Sequence, residues 1–177
     1  MTKQTPWVER SFSFNFPTGI FPVIFSRLEG TIFRLYSLLS NADEDVCSVS
    51  SQGWSVKEHL GHMFELEALW WQRLSDFAQN KAVLSPADTN NPQTAMAGHN
   101  EKSLEQLLEA FTLERQRMLE GIYFFKEDML TKTSLHPRLN QSMRVIDALY
   151  FVAEHDDHHI SAISNLLRRP EEEAVNS

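Results

Sequence analysis

The sequence predicts an all-α fold, a four-helix bundle. Four long stretches carry apolar residues at steps of three and four, the spacing of one helix face. No segment shows a convincing sheet pattern. With 177 residues, 42% of them apolar, the chain is most simply one domain, residues 1–177, long enough to bury a core.

The elements follow in order. Residues 1–16 form an arm in which Phe12, Phe14 and Phe16 alternate with Ser13 and Asn15. That period fits an extended segment with one apolar side, laid across the bundle or across a partner subunit. Pro17, Gly19 and Pro22 punctuate the approach to helix 1. Helix 1 spans roughly Phe21 to Ser40, with Ile24, Leu28, Ile32, Leu35 and Leu39 on its apolar side. The polar segment Asn41 to Gly53 ends it.

Helix 2 has the clearest start. Ser55 and Glu58 match a capping box, and Trp54 can staple the first turn. The helix runs to about Gln79, with Leu60, Met63, Phe64, Trp70, Trp71, Leu74 and Phe77 on its apolar side. Trp70 and Trp71 read as core and interface rather than a ligand cage. Asn80 to His99, containing Pro86, Asn90, Asn91, Pro92 and Gly98, forms the longest loop. Such length in a bundle is either functional or a crossover that sets helix 3 parallel to helix 2. Helix 3 spans roughly Glu101 to Phe125. Helix 4 spans roughly Met143 to Arg168, with Arg168 and Arg169 at the negative end of its dipole and Pro170 closing it. The acidic tail 170–177 is expected to fray.

Composition narrows the function. The net charge is −8, and no basic run exists to neutralise phosphates, which argues against nucleic acid and against an anionic membrane surface. Apolar stretches fall short of a membrane span. Cys47 is the single cysteine, so neither an intrachain disulfide nor a cysteine metal cluster can form. Its position in a polar stretch reads as an incidental thiol. With no apolar signal region in Met1 to Arg10, a cytoplasmic protein is expected.

The chemistry lies in Glu154-His155-Asp156-Asp157-His158-His159. His155 and His159, four apart on a helix, lie about 40° apart on one face and can share one metal ion. The seam Ala148, Val152, His155, His159, Ala162, Leu166 faces inward in the coiled-coil manner. A core built for packing alone would favour leucine where the two histidines stand, because buried imidazoles need polar partners. His158 sits about 100° away around the helix and reads as more exposed and structural. A third ligand is available from helix 2, His62, with His59 one turn earlier as competitor. Asp147, Asp156 and Asp157 are either groups that orient an imidazole or solvated helix charges. His136 is either a proton carrier or a residue that shapes a turn with Pro137. Three imidazoles with an open position make a catalytic-type site. Zinc suits them best, with nickel, iron, cobalt and manganese as alternatives. The HExxH motif of zinc peptidases, the Glu-x-x-His pairs of di-iron bundles and the Gly-x-Ser-x-Gly elbow are all absent.

At these residues the chain resembles the DinB superfamily, the DinB and YfiT-like metalloenzymes. Gly53-Trp54-Ser55 through His62 is similar to that family's tryptophan-serine start of helix 2, with a ligand histidine eight residues after the tryptophan. Glu67 and Arg73 follow as in relatives. His136-Pro137-Arg138-Leu139 and Ala153 through His159 are similar to the family's closing motif. The likeness extends from about Trp7 to Leu167. It implies His62, His155 and His159 as the metal triad, over His59 and His158. It also implies a bundle of up-down-down-up order with a long helix 2–helix 3 crossover loop, and a homodimer. The activities it implies are metal-dependent hydrolysis, and thiol transfer or isomerisation with a low-molecular-weight thiol such as bacillithiol, mycothiol or glutathione. A small-molecule substrate follows.

Three readings therefore stand. In the first, the chain is a metal-dependent hydrolase or thiol transferase. In the second, the ion bolts helix 2 to helix 4 in a binding or structural protein without catalysis. In the third, no metal binds and the histidines form a pH-sensitive core.

Overall fold

In a computed structural model the chain is described over residues 4–51, 53–88 and 91–175, with side chains as far as Arg168. Of the regions predicted above, residues 1–3 of the arm, Gln52 of the polar segment, Thr89 and Asn90 of the long loop, and Asn176 and Ser177 of the tail lie outside the described residues. Four long helices dominate: α1 Phe21–Leu39, α3 Val56–Ala78, α5 Leu104–Ile122 and α7 Val145–Val175. Short helices α2 Glu44–Cys47, α4 Pro92–Met96 and α6 Glu127–Leu130 fall between them. The main contacts join α1 and α3 each to both α5 and α7, so α1 and α3 lie on opposite corners of the bundle.

The helix starts obey local chemistry. The Ser55 hydroxyl accepts from the Glu58 N–H at 3.1 Å, and the Glu58 carboxylate accepts from the Ser55 N–H at 2.8 Å. Ser103 and Gln106 repeat the arrangement at the start of α5. Trp54 packs against His59, ring centroids 5.5 Å apart, as a staple does. The core interleaves Leu28, Leu35, Leu60, Phe77, Phe111, Met118 and Ile146, all at most 1% exposed.

Three expectations need correction. A two-stranded antiparallel hairpin, β1 Thr133–His136 and β2 Gln141–Arg144, precedes α7, with Thr133 opposite Arg144 and His136 opposite Gln141. Met143 thus belongs to a strand. Four-residue strands are too short for period-two alternation to stand out. Secondly, α7 continues past Pro170. Proline removes a single backbone donor, and Glu171 through Ala174 are good helix formers. Thirdly, the segment between α1 and α3 contains α2 and buries Cys47 completely, whose thiol burial pushes up.

The arm is extended beyond Arg10, with Phe12, Phe14 and Phe16 half-buried and the residues between them exposed. It lies across α7, where Phe12 meets Phe151 and Phe16 meets Tyr150, each at 5.0 Å between centroids. The long loop is built rather than slack. Leu84 donates to the Leu135 carbonyl at 3.0 Å, and α4 lies against α3. No helix among the described residues is long and apolar enough to cross a membrane.

Candidate metal centre

Two helices bring the three histidines together. His62 comes from α3, two turns after its capping box, and His155 and His159 come from successive turns of α7. All three are buried, and a ligand nitrogen from each lies within 4.8 Å of the others. His155 Nε2 and His159 Nε2 stand 3.0 Å apart. Two nitrogens bound tetrahedrally to one zinc ion at ordinary bond lengths lie about 3.3 Å apart, so the spacing suits a shared ion.

The protonation states suit it too. Burial, then the charges of neighbouring imidazoles, pulls His62 down to about 4 and holds His155 and His159 well below the usual histidine range. Neutral imidazole is the form that binds a metal. Among the described residues, His155 Nδ1 is buried without a hydrogen-bond partner.

The surroundings orient the three imidazoles. His62 Nδ1 lies 3.1 Å from the Thr94 hydroxyl, which donates to Glu65 at 2.7 Å. The other Glu65 oxygen meets His99 Nε2 at 3.0 Å. With Nδ1 occupied, Nε2 of His62 remains for an ion, an outer-shell arrangement common to histidine ligands. Gly61 makes room for this relay, because a Cβ there would sit 2.3 Å from the His99 ring. His59 meets His159 Nδ1 at 2.9 Å through its own Nδ1, and so supports that ring from behind.

His158 is half-buried, more exposed than His155 and His159, and its Nδ1 is bound by the Gln4 amide at 3.0 Å. Among the described residues, none of the three aspartates bonds an imidazole. Asp147 accepts from the Arg144 N–H at 2.8 Å and pairs with its guanidinium. Asp157 pairs with Arg27 and Arg34. Asp156 is buried in an ion pair with Arg115. His136 shapes its turn, accepting from the Leu139 N–H at Nδ1, 3.2 Å away. Burial, Arg73 and Arg138 together pull it down to about 3.

A cavity of about 460 Å³ opens beside the triad. Trp7, Trp54, Trp70 and Phe151 supply apolar wall, and Arg73, His136 and Arg138 supply polar wall. Trp70 is therefore both core and cavity lining, more than its sequence position suggests. The long loop contributes Pro86, Ala87, Asp88 and Asn91.

Sequence reasoning missed Thr94, Glu65, His99 and Arg115. For Arg115 a signal existed: it continues the seam Leu108, Phe111, Arg115, Met118 on α5. For Thr94 and His99 none did, since a loop folding back on α3 leaves no periodic trace.

Comparison with known proteins gives a family and a fold. The sequence profile of the DinB superfamily matches residues 27–163. No curated protein matches the sequence significantly. A solved structure, YfiT from Bacillus subtilis, aligns over 92% of this chain and 94% of its own, with a TM-score of 0.81 and 15% identity. That protein is described as a probable metal-dependent hydrolase with an unusual four-helix bundle topology. With a profile match over most of its length, this chain belongs to the DinB superfamily.

Proposed function

We propose that the chain is a metal-dependent enzyme, a hydrolase or a thiol S-transferase, whose divalent ion is held by His62, His155 and His159. One observation carries this reading: three neutral, buried imidazoles from two helices converge beside a cavity large enough for a small substrate. An ion held by neutral ligands keeps its full charge and supplies Lewis-acid activation of a water or a thiol. All-nitrogen ligation favours zinc.

The chain's own residues do the rest. Thr94 and Glu65 hold the His62 ring so that Nε2 faces its neighbours. Trp7, Trp54 and Phe151 supply apolar wall against which a substrate body can pack. His136, with Nδ1 already accepting from Leu139, has no free lone pair for a proton. It acts as a donor through Nε2–H rather than as a base.

Up-down-down-up helix order is part of the proposal, supported by the opposite corners taken by α1 and α3. A homodimer is proposed as the assembly. The α1 face bearing Val23 and Phe33, 63% and 69% exposed, supports it.

The test is a panel of hydrolysis and thiol-transfer assays on protein loaded with zinc, nickel, iron, cobalt or manganese, with chelated protein as control. Turnover that needs the metal, and disappears in His62→Ala, is expected. Metal-loaded protein whose coordination is closed to water and thiol, as judged by cobalt absorption spectra that no thiol perturbs, would instead support a purely structural ion.

A further inference from the structure

The polar wall of the cavity carries two arginines and buried donors that have no partner among the described residues. Arg73 is only 5% exposed, and its Nε donates to the Ser85 carbonyl at 3.0 Å. Its guanidinium stacks over Trp70, 5.4 Å from the ring centre. Arg138 donates through Nη1 to the Val8 carbonyl at 3.2 Å and lies 5.8 Å over Phe151. Arg138 Nη2 is buried with no partner among the described residues. Between them, His136 is 2% exposed, and its Nε2 is likewise buried without a partner. All three residues line the cavity.

Asp76 offsets part of the charge on Arg73, and Asp88 also lines the cavity, but neither forms an ion pair with the two arginines among the described residues. Asp76 is committed to the Lys81 ammonium at 2.6 Å and the Ser85 N–H at 2.7 Å. Among the described residues neither arginine forms an ion pair, whereas Arg27, Arg34, Arg115 and Arg144 all do. A buried Arg73 guanidinium without an ion pair and a buried Arg138 Nη2 without an acceptor are unfavourable unless a ligand supplies the missing partner. The tautomer of His136 adds a third donor. Because Nδ1 accepts from Leu139, the proton of the neutral ring sits on Nε2. Planar guanidinium groups and an N–H converging in a half-apolar cavity match an oxyanion on an apolar body.

We propose that Arg73, His136 and Arg138 form a subsite for the anionic end of the substrate, a carboxylate or phosphate carried by an aromatic or otherwise apolar small molecule. The aromatic walls hold its body between that subsite and the histidine triad. This deepens the enzymatic reading above and rests on it for the word substrate. The anion contacts themselves need no metal.

The experiment uses full-length protein stripped of metal with EDTA. Small aromatic carboxylates and phosphates, each beside its neutral amide or alcohol, are titrated against tryptophan fluorescence, with calorimetry as the check. Anions are expected to bind at least tenfold more tightly than their neutral counterparts. The stronger of the two anion series identifies the headgroup. Arg138→Gln should weaken anion binding at least tenfold, with Arg138→Lys recovering part of it and zinc uptake unchanged in both. Arg73→Gln provides a second variant, with circular dichroism to establish folding. Equal binding of anions and neutral counterparts overturns the subsite. So does unaltered anion binding by both glutamine variants, or no anion binding at millimolar concentration. Anion binding by a protein that takes up no metal keeps the subsite and removes the metalloenzyme reading. Metal uptake without anion binding does the reverse.

Discussion

His155 and Asp156 are consecutive on α7 and both buried, yet they belong to polar layers of opposite character. Asp156 sits in a saturated layer. Arg115 donates to Glu67 at 2.7 Å, to both oxygens of Asp156 at 2.5 and 3.0 Å, and to the Leu28 carbonyl at 3.3 Å. Thr31 adds a bond to Asp156 at 2.8 Å. One guanidinium thereby ties all four long helices together. Burial opposes its charge, but Asp156 and Glu67 outweigh that and keep it protonated well above its ordinary range. His155 sits in an unsaturated layer. There His155 Nδ1, His136 Nε2 and Arg138 Nη2 have no partner among the described residues, and a cavity adjoins them. Buried polar groups without partners are costly. The contrast separates polarity that is satisfied within the fold from polarity that the proposed function assigns to a ligand.

Substitutions in the two layers should therefore report through different measurements. The largest effect is expected from Arg115→Ala, which strands two buried carboxylates. It should lower stability by about 3–5 kcal/mol, read as a shift in the urea midpoint. An effect below about 1 kcal/mol would show that the layer does not hold the bundle together.

Next comes pH. The folded pKa of His136, about 3, lies below its unfolded value of about 6.5. The unfolded chain therefore takes up the proton first as pH falls. The stability contributed by neutral His136 is complete above about 6.5 and is lost towards 3. Between pH 6.5 and 4.5 this amounts to about 2.5 kcal/mol. His136→Asn should flatten the stability–pH slope there by one proton's worth. An unchanged slope would place the acid sensitivity elsewhere.

Weakening the relay behind His62 should be milder in stability and visible in metal affinity. Thr94→Val or Glu65→Gln is expected to lower zinc affinity about 10- to 100-fold, measured by competition with a chromogenic chelator. Wild-type affinity in both variants would remove Thr94 and Glu65 from the site. The smallest effect is expected at the start of α3. Ser55→Ala removes the cap and should cost about 1 kcal/mol, with metal content unchanged. A loss of metal there would mean that the α3 cap also positions His62.

Much of this division was legible in the sequence. The capping box at Ser55, the seam through His155 and His159, and the helical spacing of α1, α3 and α5 all express local rules that act within a few residues. Arg115 lies between Glu114 and Gln116 and reads as a solvated charge until its seam position is followed. The hairpin that carries His136 and Arg138 was not legible, because its strands depend on pairing with each other and on the bridge at Val83. Nor was the return of Thr94 and His99 onto α3, which is a tertiary contact of a loop. Local periodicity placed His155 and His159 on one inward face of a helix, and the resemblance chose His62 over His59; the second wall of the cavity needed the fold.

The central claim, that the unsaturated layer holds a metal, is tested most directly by elemental analysis of protein purified without an affinity tag or chelator. About one divalent ion per chain is expected in the natural protein and none in the His155→Ala, His159→Ala double variant, with Arg115 and its partners left intact. Metal-free natural protein, or a double variant that keeps its ion, would contradict the account.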